Sequence, residues 1–219
     1  MTKARRLIFM VVLFSACTYP RIVQKTWSDF NQQFSLSTID TLHVGAYHVS
    51  AIERHQIGLT TLYETLDLSV EMEQMLANSL GAYPRIHSAE LRQLEELQSL
   101  YRTKVRRRKL AEFLKGKEFR HGTLIPIVKY DSRYRARVHQ SGPGGGAWRT
   151  GENVHWIYRE VHLAGFSGND LFYLGSTVMT DSVIVPSGTP ITHEFPQEVL
   201  DSLMQMALEP LLKELNRNK

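Results

Sequence analysis

Residues able to do chemistry are scattered through this chain, and they rarely fall at the spacing a reaction needs. Nine histidines raise the question of a metal. His155 and His162 are seven apart on one expected strand, and His43 and His48 are five apart on another. Odd separations send side chains to opposite faces of a strand, so neither pair can share an ion. His193 and Glu194 begin like a zinc-protease helix, but Gln197 stands where the second histidine belongs and Pro196 would interrupt that turn. Hydrolysis through a nucleophile needs a base and an orienting acid beside it, and no Gly-x-Ser-x-Gly is present. The glycine-rich run from Gly142 to Gly151 invites a phosphate-loop reading, yet Glu152 and Asn153 occupy the places of the lysine and hydroxyl residue. A strand is expected to follow it, so no helix N-terminus would face an anion. These patterns predict no catalytic residue, no metal and no cofactor.

Two features point to contacts instead. Arg102, Lys104, Arg106, Arg107, Arg108 and Lys109 form the densest run of charge. On a helix, Arg102, Arg106 and Lys109 share one face by steps of four and three. That face suits anionic headgroups or an acidic partner; its alternative is a solvated surface partly balanced by Glu95, Glu96 and Glu112. Trp148, inside the glycine-rich loop, is either an anchor for a partner or folded back on the core. Bulk charge gives no case for nucleic acid. The formal net charge is +4, but Lys3, Arg5 and Arg6 lie in the acid-free first sixteen residues, without which 23 cations face 22 acids.

Those sixteen residues have their own logic. A basic start, an apolar run from Leu7 to Phe14 and the small pair Ser15-Ala16 are the parts of a signal peptide, too short to span a bilayer. Cys17 follows at once and is the only cysteine in 219 residues, so no intramolecular disulfide can form. Phe14-Ser15-Ala16-Cys17 resembles the lipobox of bacterial lipoproteins, with Phe14 where leucine is usual. The resemblance implies cleavage before Cys17 and acylation of that cysteine, more than one acyl chain making the anchor stable. Thr18 after the cysteine implies, by the sorting habit of that group, the outer membrane with the domain facing the periplasm. The expected organisation is a signal peptide over 1–16, a lipidated tether over 17–40 and an α/β domain over 41–219. Trp27, Phe30, Phe34, Leu36 and Ile39 in the tether are expected to dock on the domain.

The elements that would position these residues follow from periodicity. Leu42, Val44 and Ala46 alternate on one face of a first strand. Thr61 to Glu64 has capping-box spacing and predicts a helix to Leu80, stopped by Gly81. A short strand over 84–88 leads to a second helix capped by Ser88, carrying Leu91, Leu94, Leu97 and Tyr101 and extending toward Gly116. Leu124 to Tyr130 is a buried strand in which Pro126 demands an edge or a bulge. Strands over 154–166 and 171–180, with Val183 to Val185 continuing the second, flank a turn at Ser167 to Asp170. A final amphipathic helix carries Leu200, Leu203, Met204, Ala207, Leu208, Leu211 and Leu215, with Pro210 predicted to kink it.

The predicted fold is therefore α/β, a single sandwich-like domain with one mixed sheet and two to three helices, in the order β-α-β-α-β-β-β-α. That order resembles the envelope-lipoprotein family containing the curli-secretion lipoprotein, the activators of penicillin-binding proteins and the amino-terminal domain of TolB. The residues carrying the likeness are Leu42 to Tyr47, Gly122 to Tyr130, the glycine-rich loop and the paired strands after it. It implies a non-catalytic adaptor or accessory subunit in envelope assembly or export, with an envelope protein as partner and homo-oligomers allowed. An envelope hydrolase and a lipid- or peptidoglycan-binding module are the alternatives. A self-made pore is disfavoured, because Glu160 and His162 share the face of Trp156 and Tyr158 while Arg159 takes the other.

Overall fold

The computed structural model describes residues 23–57, 60–66, 68–81, 83, 85–97, 105–114, 116–140, 147–186 and 197–217. Among them, seven strands form one mixed sheet: β1 (Val23–Phe30), β2 (Leu42–Ile57), β3 (Thr60–Leu66), β4 (Ile86–Gln93), β5 (Phe119–Gln140), β6 (Ala147–Gly168) and β7 (Asp170–Pro186). Three helices accompany it: α1 (Ser69–Gly81), α2 (Arg107–Phe113) and α3 (Gln197–Arg217). Strand neighbours run β1-β7-β6-β5-β2-β3, and β4 also pairs with β2. The pairs β2–β5 and β2–β4 are parallel and the rest antiparallel.

Each face of the sheet buries its own core. On one face, Val44, Val49, Leu124, Val128 and Val161 meet Met72, Met75 and Leu76 of α1 and the apolar stripe of α3. All seven stripe residues predicted for α3 are buried, each leucine and the methionine contributing about 2 kcal/mol, and the helix runs on through Pro210. On the other face, Ile125, Ile127, Ala164 and Leu174 meet Leu94, Leu97 and, from α2 and its flanks, Val105, Leu110 and Leu114. Gly175 lets α3 lie close: a Cβ there would collide with the Ala207 carbonyl oxygen, to which Tyr173 Oη donates a hydrogen bond.

The α/β class, the single mixed sheet and the closing β6–β7 hairpin and helix are as expected, the hairpin turning at Gly168 with φ +60°. Three expectations are corrected. The tether predicted over 17–40 contains β1, which pairs with β7 from Val23↔Thr180 to Phe30↔Tyr173; as expected, Phe30, Phe34 and Leu36 pack on the core and Ile39 joins it. Thr61 to Glu64 lies in β3, not a helix. Its threonines and Tyr63 favour a strand, and pairing with β2 outweighs one capping box, so the helix starts at Ser69. The helix expected from Ser88 is instead β4, followed by a turn in which Leu97 N–H bonds the Leu94 carbonyl. Leu91 packs on one core and Leu94 and Leu97 on the other, so their three-residue spacing came from a strand crossing into a turn.

Pro126 lies in β5, a central strand, and the bulge it demands is present. Pairing with β6 runs through Pro126↔Leu163, but toward β2 the register slips between Val44↔Leu124 and His48↔Ile127. One extra residue of β2 is accommodated where proline offers no N–H. The slip turns Ala46 away from Leu42 and Val44 into the second core, against the simple alternation. It also brings His43 and His48 to one face, contrary to the odd-spacing expectation, because each now lies on the α2 side.

Candidate functional site

Polar side chains are buried at the middle of the sheet, on both faces. On the α2 side, Lys129 and Glu160 are partners across β5 and β6 and form an ion pair at 3.2 Å. His162 Nε2 lies 3.0 Å from Glu160 Oε1, and His48 Nδ1 is 3.0 Å from the Leu94 carbonyl oxygen. Trp27 of β1 stands edge-on to His162, ring centroids 6.5 Å apart. Burial alone would raise the Glu160 carboxyl, but His162 and Lys129 outweigh it and hold it down at about 2. Burial pushes the imidazoles of His162 and His48 below their ordinary value, for His162 against the opposing pull of Glu160 and for His48 against that of the Leu94 carbonyl.

On the α1/α3 side, Glu53, Ser132 and Arg159 are buried. Ser132 Oγ is 2.7 Å from His155 Nε2, and His155 stacks on Tyr134 at 3.9 Å. Burial, followed by the nearby Glu53 and Tyr130, pushes the Tyr134 phenol up to about 12. Two serine–histidine contacts stand among the described residues, the part-buried one of Ser132 with His155 and an exposed one in which His121 Nδ1 lies 2.6 Å from Ser167 Oγ. In the sheet register Glu53 lies across from Ser132 and His155 across from Tyr134, on the opposite strand. The carboxylate therefore flanks the serine and not the imidazole, which is not the order in which an acid orients a base.

Beyond these rows the sheet outruns its cores. Val128 and Val161 are the last core residues on β5 and β6, yet β5 continues to Gln140 and pairs with β6 as far as Gln140↔Ala147. A strand of 22 residues reaches roughly 70 Å at about 3.3 Å per residue. The extension carries an ion cluster of Arg54, Asp131 and Arg133, with Nη2 to Oδ2 distances of 2.9 and 2.7 Å. It also carries Trp156 at 48% exposure, Val183 at 43% and Ile184 at 37%.

No family model and no curated protein matches the chain. Solved structures similar to it include a PelC dodecamer from Paraburkholderia phytofirmans, at 17% identity and TM-score 0.31, covering 86% of this chain and 97% of that one. A neuraminyllactose-binding hemagglutinin homolog from Helicobacter pylori matches at 8% identity and TM-score 0.29, over 82% and 87% of the two chains. A hypothetical protein from Chlamydia trachomatis matches at 10% and 0.28, over 79% and 94%. Likenesses at these scores carry no argument about what this chain does.

The residues singled out in the sequence do not converge. Cys17, Arg102, residues 142–146 of the glycine-rich run and His193 lie outside the described residues, and the rest of that run, expected as loop, is the start of β6 from Ala147. Arg106 precedes α2 and Arg107 opens it; Arg106 and Arg108 are exposed, and Lys109 pairs with Glu112 at 3.1 Å. The helical face predicted to join Arg102, Arg106 and Lys109 is not formed as such, because α2 begins only at Arg107. Trp148 lies in β6, opposite His139 at the far end of the long strands. Sequence reasoning missed Lys129, Glu53 and Arg159. The usable signal was a charged residue within each apolar strand, at the positions that interrupt a clean face.

Proposed function

We propose that this chain is an envelope lipoprotein, anchored through acylated Cys17, whose periplasmic domain is a non-catalytic adaptor that presents the extended end of its sheet to a partner. The observation that carries the reading is the uncovered extension. Two exposed β-branched residues and a tryptophan stand on long strands beyond both cores, where an isolated domain would gain nothing from them. The partner is another envelope protein or a second copy of the chain. The lipid would hold the domain at a surface and raise its effective concentration there.

Two measurements test this. Labelled palmitate should enter the native chain and be lost in Cys17→Ala, together with membrane association. A photo-crosslinking residue at Trp156 should then capture a discrete product in intact cells, and one at exposed Val70 of α1 should not. Label that is absent, or crosslinking equal at both positions, would overturn the reading.

The Ser132–His155 hydrogen bond favours a second reading, an envelope hydrolase. A fluorophosphonate should label Ser132 and spare Ser132→Ala if that chemistry operates. The register of Glu53 argues for a structural bond, and no label is expected.

A further inference from the structure

Near Pro126 the pairing of β2 is irregular on both sides. Where β5 slips against β2 between Val44 and His48, β4 slips on the other edge, pairing Val44↔Ser88 and then Ala46↔Arg92. The double irregularity leaves a groove of about 480 Å³ at Gly45, within the size range of small-molecule sites. Its walls carry His43, Arg92, Lys117 and Arg120, with Glu118 the one carboxylate among the described lining residues. Apolar side chains, among them Leu94 and Phe119, complete it.

Lys117 is engaged by Glu96, but the guanidinium of Arg120 meets no ion-pair partner among the described residues. Burial, then the charges of Arg120 and His87, push the His43 imidazole below its ordinary value, and His87 stacks on His43 at 6.1 Å. Glu96 faces Lys117 and Arg92, and Glu118 is in the wall, so four basic side chains meet two carboxylates, and an excess of like charge is relieved when an anion joins it. Gly45 adds an independent observation. Its φ is not positive, and a Cβ placed there would meet nothing within 4 Å. Neither backbone conformation nor packing requires glycine, although glycine weakens a strand. The space over it is open toward the groove.

We infer that this groove binds an organic phosphate, its anion held by Arg120, Arg92 and His43 and its apolar part lying over Gly45 against Leu94 and Phe119. The phosphate can belong to a soluble ester or to a lipid headgroup, and the inference stands whether or not Cys17 is acylated.

The test uses the full-length chain purified in neutral detergent. Hexyl phosphate is titrated calorimetrically against the native chain, Gly45→Leu and Arg120→Gln, and vesicles of phosphatidylglycerol are offered to all three. Gly45→Leu fills the groove without altering charge; Arg120→Gln removes an exposed cation and leaves the fold alone. Hexyl phosphate should bind the native chain and bind each variant at least tenfold more weakly, with thermal unfolding of Arg120→Gln unchanged. Vesicle binding lost in the same variants would assign a lipid headgroup; vesicles ignored by all three would assign a soluble ester. No binding of hexyl phosphate to the native chain, or binding indifferent to both substitutions, would overturn the inference.

Discussion

Glu160 is ionised in a nearly dry place because His162 bonds it and Lys129 sits across the strand from it. Removing one member of a buried pair leaves the other uncompensated, whereas removing both charges together is far less costly. Lys129→Met should therefore destabilise the domain by about 3 kcal/mol in urea unfolding, and Lys129→Met with Glu160→Gln should recover most of that loss. The same cluster sets a response to acid. His48 and His162 have folded values below their unfolded ones, so their stabilisation is complete above the ordinary histidine value and fades as pH falls beneath it. Glu160, depressed to about 2, contributes above the ordinary carboxylate value and loses its contribution between there and about 2. Melting temperature should thus fall in two stages on acidification. His162→Gln should flatten the upper one; an unchanged upper stage would remove His162 from the account.

At the scale of elements, α3 and the sheet are set by how closely two backbones approach. Gly175→Val would drive a side chain into the Ala207 carbonyl and the Tyr173 hydroxyl, and such overpacking costs about 1–3 kcal/mol. Guanidinium unfolding should show the loss, and Gly45→Ala, in open space, should show none. The strands and helices were legible where a single period ran long enough. The stripe from Leu200 to Leu215 reads only as a helix, and all of it is buried. Thr61 to Glu64 and Leu91 to Leu97 were misread because four to seven residues fit either period. Partners distant in sequence decided between them: β2 took the first segment as β3 and part of the second as β4.

At the scale of the molecule, a projecting sheet end is separable from the body that holds it. Trp156→Ser should leave stability within about 0.5 kcal/mol, since the side chain is 48% exposed, while weakening capture of the partner. A large loss of stability would instead make Trp156 part of the fold. By itself the sequence determined the α/β class and the closing hairpin and helix, because each is written in consecutive residues at short range. It also required an edge or a bulge at Pro126, since a missing N–H is a local fact, and the central place of β5 decided for the bulge. Only the tertiary structure decided that Val23 to Phe30 is a strand, that Lys129 meets Glu160 and that the register slips beside Gly45. Those outcomes depend on which strand lies beside which and in what register, and a one-residue slip in β2 was enough to move Ala46 from one core to the other.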